Sequence, residues 1–206
     1  MKHCCEDKCT ELVKLRTNQA RTLKIVLAIN AAMFFIEAYS GIIGKSTALL
    51  ADSLDMFGDA TVYAFSLYVI DRGKSWRARA ALLKGVIMAA FGLGVLAQVV
   101  HQATSGVVPV GETMGLVAFL ALAANTVCLT LLYRHRTDDI NMRSTWLCSR
   151  NDLIANVSVI AAAIGVLKTG NVWPDLIVGT IIALLFLSSA AGVLKESLSE
   201  LKEVQV

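Results

Sequence analysis

An excess of charge of one sign is missing from this chain. Its 19 Lys and Arg against 16 Asp and Glu leave a net +3 over 206 residues, too small to argue for a nucleic-acid partner. A cleavable signal sequence is also missing. The opening "MKHCCEDKCTELVKLRTNQA" mixes both charge signs and has no short apolar core ending in small residues. An extracellular disulfide framework is not expected either. Of the five cysteines, Cys4, Cys5 and Cys9 crowd one end, and Cys128 and Cys148 sit inside apolar segments. Histidine is scarce, with only His3, His101 and His135. Proline occurs twice: Pro109 falls in a loop, and Pro174 opens the last apolar run, where a helix tolerates it. Nothing repeats at a solenoid period, and no low-complexity tract stands out.

What the chain has is apolar residue, 56% of it without counting glycine. Soluble domains run about 45–50% with glycine included. The excess predicts a chain bathed in lipid. A span needs about 20 mostly apolar residues, and six are read: 22–44, 47–70, 78–102, 114–133, 144–167 and 174–194. Basic residues mark every second loop. Lys14, Arg16, Arg21 and Lys24 precede the first span, and Arg72, Lys74, Arg77 and Arg79 follow the second. Arg134, Arg136 and Arg143 follow the fourth, and Lys195 and Lys202 follow the sixth. The other three loops hold Lys45, Lys168 and no basic residue at all. Basic loops favour the cytoplasmic side. The expectation is an all-α integral membrane protein of six transmembrane helices with both termini cytoplasmic. A tail at 1–21 carries the Cys/His cluster, the membrane domain runs over 22–194, and a short tail over 195–206 leaves no room for a soluble domain.

Charged groups at bilayer depth are rare and usually face a bundle interior or a water-filled path. The second span carries Asp55 and Asp59 in "LLADSLDMFGDATVY", four apart and so on one helix face. The fifth carries Cys148 and Asp152 in "CSRND", with the same spacing. Two such helices packed face to face bring together three carboxylates and a thiol. Zinc takes Asp oxygen and Cys sulfur in tetrahedral sites, and the soft thiolate biases the set toward zinc or cadmium over magnesium or calcium. Against this, a single buried Cys is ordinarily just a small apolar residue, and a single Asp near a helix end can cap or reach solvent. The doubled spacing weighs for the site, because each acid costs roughly 2.5–3.5 kcal/mol to insert. Asp52 lies near the same face, closer to the helix end, where an outer solvated position is the bland alternative to a supporting or access role. Asn30 and Glu37, with Asn125, Asn151 and Asn156, are read first as groups that hydrogen-bond across helices. Arg150 falls on another face, suited to a salt bridge. Asp175 reads as a cap or dipole partner of its own helix.

The stretch "STALLADSLDMFGDA" resembles the second span of cation diffusion facilitator transporters, in which an Ala-Asp is followed by His or Asp and by a further Asp four residues later. Asp55 and Asp59 take those two positions. The family's fifth span carries His or Asp and then Asp four later; here these are Cys148 and Asp152. Asn30 and Glu37 in "NAAMFFIEAYSGIIGKS" also match. The resemblance covers essentially the whole chain. It implies export from the cytosol and no enzymatic activity. There are two departures. Cysteine stands where the family has His or Asp, which favours a softer ion. The family's cytoplasmic carboxy-terminal domain is also absent, so the resemblance does not carry over dimerisation by that route. His3, Cys4, Cys5 and Cys9 offer a second metal-binding set in a reducing cytosol. Its alternative is a disordered tail with incidental cysteines.

With all four ligands ionised the site carries four negative charges, and one divalent ion leaves two uncompensated. The empty site is therefore expected to hold protons that metal expels. This gives metal/proton antiport by alternating access, with zinc or cadmium as cargo, cobalt and other transition metals as further candidates, and no cofactor. The expected partners are the lipid bilayer, divalent ions and, as an option, a second copy in a homodimer; nucleic acid is not among them. The expected location is a plasma or inner membrane. Two rivals stand: an intramembrane aspartyl protease, since acidic pairs also serve as general acid and base, and a membrane metal sensor that does not transport. A protease needs one Asp on each of two helices, not two i, i+4 pairs that include a thiol.

Overall fold

A computed structural model describes residues 3–69, 74–133 and 140–204. Side chains 3–19, 62, 63, 65–69, 74–78, 80, 81, 84, 140–151, 196, 200 and 202–204 lie outside the described set. Six helices follow one another: α1 (His3–Gly44), α2 (Thr47–Val69), α3 (Lys74–Ser105), α4 (Gly111–Tyr133), α5 (Ile140–Thr169) and α6 (Trp173–Val204). No strand occurs among the described residues. Each helix covers a span expected from the apolar runs. The helices overrun those runs where charged sequence continues them, so α1 starts at His3 and α6 ends at Val204.

Among the described residues, five helices contain a stretch long and apolar enough to cross a membrane: Ala20–Gly44, Gly85–Ser105, Gly111–Tyr133, Asp152–Thr169 and Trp173–Ser199. The exception is α2, whose apolar run is broken by Asp52, Asp55 and Asp59. Packing explains how such a helix is tolerated. It touches α1, α3, α5 and α6, and Ala48, Leu49, Ala51 and Leu54 are buried in a core shared with all helices but α1. The bundle's exterior is apolar instead. Phe35, Ile42, Leu116 and Phe119 are among its large exposed side chains, as expected of a surface solvated by lipid.

The α1–α2 corner is a two-residue reversal. Ser46 N–H donates to the Gly41 carbonyl at 2.9 Å and Lys45 N–H to that of Ile42 at 3.4 Å. These are the two bonds of a Schellman motif. The left-handed position falls on exposed Lys45, with φ 52°, where glycine is the usual residue. Lys45→Gly is therefore expected to raise stability by up to about 1 kcal/mol, the left-handed cost less glycine's extra unfolded-state entropy. Thermal unfolding in detergent checks it. The corner is also tied to the α3–α4 loop. Val110 N–H donates to the Gly44 carbonyl at 2.9 Å, and buried Gln102 donates through Nε2 to the Lys45 carbonyl at 2.6 Å.

Candidate metal centre

Asp55 and Asp59 stand one turn apart on α2 and, with Asp152 of α5, line a single cavity of about 730 Å³. Met88 of α3 and Phe186 of α6 supply apolar wall. Asp55, Asp59 and Asp152 are each half-buried as residues. Asp59 and Asp152 lie within electrostatic reach of each other across this cavity, so α2 and α5 meet through acid groups. Between the two acids of α2 sits Gly58, where a Cβ would lie 3.2 Å from Phe186 Cε2. Its missing side chain lets α6 close over the cavity wall at the depth of the acids.

The sequence brought Asp55, Asp59, Cys148 and Asp152 into one set. Three of the four line this cavity, while the Cys148 side chain lies outside the described residues. Among the described residues, no three His, Cys, Asp or Glu groups converge closely enough to hold an ion. The side chains of His3, Cys4, Cys5 and Cys9, and of Asn151 and Arg150, are likewise outside the described set.

Several supporting residues differ from expectation. Asp52 is not a solvated helix end but fully buried, and neither of its carboxyl oxygens has a hydrogen-bond partner among the described residues. Its burial follows from the central position of α2. Glu37 is fully buried in the same way and equally unpartnered. Asn30 does bond across helices, donating through Nδ2 to Cys128 Sγ at 3.9 Å, and also to the Val26 carbonyl of its own helix at 2.9 Å. Asn156 instead bonds within α5, donating to the Asp152 carbonyl at 2.7 Å. Asn125 is buried with its Nδ2 unpartnered among the described residues. Asp175 caps the start of α2 and not of its own helix. Ser46 Oγ and Ala48 N–H donate to its Oδ1 at 2.6 and 3.0 Å, and Thr47 N–H and Oγ1 each donate to its Oδ2 at 2.8 Å. The start of α6 uses Asn171, whose side-chain oxygen accepts from Trp173 N–H at 3.3 Å. The buried thiol of Cys128, within electrostatic reach of Asp59 and Asp152, was not singled out from sequence. A lone Cys in an apolar helix carries no distinguishing signal.

Residues 23–202 match the family described as the cation efflux transmembrane domain. The chain belongs to the cation efflux family. Membership in the cation efflux family and the five apolar helices make it a multi-pass integral membrane protein. The Alcaligenes sp. (strain CT14) protein named cation efflux system protein CzcD is 29% identical over 195 residues, covering 89% of this chain and 62% of the relative. The Yersinia pestis zinc transporter ZitB is 30% identical over 199 residues, covering 90% and 64%. A Bacillus velezensis protein named cadmium, cobalt and zinc/H(+)-K(+) antiporter is 24% identical over 199 residues, covering 89% and 63%. The chain thus spans somewhat less than two thirds of the length of these cation efflux relatives.

Proposed function

We propose that this chain carries divalent metal ions, zinc or cadmium first and cobalt or other transition metals after them, out of the cytosol in exchange for protons. The observation that carries this reading is the convergence of Asp55 and Asp59 of α2 and Asp152 of α5 on one cavity. Asp55, Asp59, Asp152 and Cys148 are the proposed ligands, with Asp52, Asn30 and Glu37 in support. The names of the relatives, a cation efflux protein, a zinc transporter and a metal antiporter, point the same way. Protons held by the empty site supply the coupling, since a metal ion taking the carboxylates displaces them. Rebinding of protons from the far side then favours release. A plasma or inner membrane, with both termini cytoplasmic, completes the proposal.

The test is metal uptake into sealed everted vesicles. Acidifying the interior should drive Zn²⁺ or Cd²⁺ in, and a protonophore should stop it. Uptake indifferent to the gradient would refute proton coupling. Cys148→His is expected to move selectivity from Cd²⁺ toward Zn²⁺, because imidazole is harder than thiolate; competition between the two ions in the same vesicles reads this. The His3, Cys4, Cys5 and Cys9 cluster is proposed to capture or sense cytosolic metal. If changing the three cysteines to Ser leaves transport at low metal untouched, that role is lost.

A further inference from the structure

The helix that carries two of the proposed ligands is tied at its first turn to a different helix. Four hydrogen bonds from Ser46, Thr47 and Ala48 end on the Asp175 carboxylate of α6. A local cap is also present, since Leu49 N–H donates to Ser46 Oγ at 3.1 Å. Ser46 thus serves one orphan donor of α2, and Asp175 serves the two before it from across the bundle. One turn along α6, Gly179 makes the contact intimate. A Cβ there would lie 2.8 Å from the Thr47 carbonyl carbon and 2.9 Å from Ala48 N. These are backbone atoms, which cannot step aside as a flexible side chain would. Next on the same stripe, Ile182 shares the core of Ala48, Ala51 and Leu54, and Phe186 covers Gly58 beside Asp59. Positions 175, 179, 182 and 186 form one helix face. A single seam therefore runs from the cap to the depth of the carboxylates.

We infer that Asp175 is a positioning residue for the metal site: by fixing the first turn of α2 on α6, it sets the rotation and depth at which Asp55 and Asp59 meet Asp152 on α5. Asp55 lies eight residues beyond Thr47, about 12 Å along a helix stiff enough to transmit the placement. A slip of one residue moves every side chain of α2 by about 1.5 Å and turns it by about 100°. Misplacement of about 1 Å at a distance can cost roughly 100-fold in a positioned site. The inference rests on the ligand assignment proposed above.

The experiment titrates purified protein in detergent with Zn²⁺ alone by calorimetry, and measures KM and kcat for Zn²⁺ transport after reconstitution. Asp175→Asn turns an amide N–H₂ toward two donors and breaks half of the tie. It is expected to weaken Zn²⁺ binding about ten-fold or more, within the cost of misplacing a site, and to raise KM more than it lowers kcat. The decisive variant is the double Asp175→Ala, Ser46→Asp. It places a charged cap on α2 itself and removes the carboxylate tie to α6, leaving only the long Thr47 Oγ1 bond to the Asp175 carbonyl at 3.4 Å and the Gly179 contact. Binding that stays weak in the double variant supports positioning; binding restored to wild type means that Asp175 only caps a helix, and overturns it. If Asp175→Asn does not fold, Thr47→Val removes one bond of the tie and carries the same test, with weakened binding in support and unchanged binding against. Asp59→Ala serves as the reference. Should it abolish binding while Asp175→Asn binds as wild type, the positioning inference alone falls. Should Asp59→Ala bind as wild type, the ligand assignment falls and takes the inference with it.

Discussion

Replacing Asp59 or Asp152 with Ala is expected to reduce metal transport by more than about 100-fold, beyond the 10–100-fold cost usual for groups that merely support metal ligands. Each substitution deletes a proposed ligand from the cavity that α2 and α5 share. The loss should not come from failed insertion. An aspartate in a span costs roughly 2.5–3.5 kcal/mol on insertion scales, so its removal makes the helix a better membrane segment. The amount of protein in the membrane fraction should therefore hold or rise while vesicle uptake of Zn²⁺ disappears. Asp59→Asn and Asp152→Asn keep the shape and remove the charge; they should fail almost as completely, because cargo of charge +2 needs ionised oxygen. Groups that act as one unit are strongly non-additive. The double variant Asp59→Ala, Asp152→Ala should transport no worse than either single one. Substantial uptake by either single variant would remove that residue from the site.

The sequence was most informative where a physical cost had to be explained within one helix. Asp55 and Asp59 stood out because two acids at i, i+4 in an apolar segment have few bland uses. The same acids kept α2 out of the set of segments apolar enough to span, and its central packing against four other helices accounts for it. The pairing of α2 with α5 was read from the matching i, i+4 pair on each helix, and resemblance to a family supported it. The seam between α2 and α6 was not foreseen, because an acid at position three of a helix is ordinarily assigned to its own dipole. Asp175 serves another helix because the start of α6 lies against the start of α2, and Gly179, unremarkable in sequence, permits that approach. For Asp52 the same packing removes the bland alternative of a solvated helix end. Distance from a helix end measures depth only when the end itself is exposed, and here Ser46, Thr47 and Ala48 are buried.

Glu37→Met is expected to change stability and transport in opposite directions. Glu37 on α1 and Asp52 on α2 are fully buried, lie within electrostatic reach of each other, and lack hydrogen-bond partners among the described residues. A buried polar group left without a partner costs about 1–3 kcal/mol. Methionine is close to glutamate in length, has no polar group to satisfy and adapts to irregular gaps. The variant should therefore gain stability of that order, read as thermal unfolding in detergent without metal. Vesicle uptake of Zn²⁺ should fall, because an acid kept in a span at such a cost marks an ion or proton path more often than a structural need. Asp52→Asn supplies the second arm, since it retains size and polarity and loses only the charge that a support or access role requires. Two results would count against this account. If Glu37→Met loses stability, the carboxyl group has a structural use that its buried setting does not reveal. If Glu37→Met gains stability and still transports at the wild-type rate, the two acids stand apart from the transport path, and only the carboxylates that line the cavity remain on it.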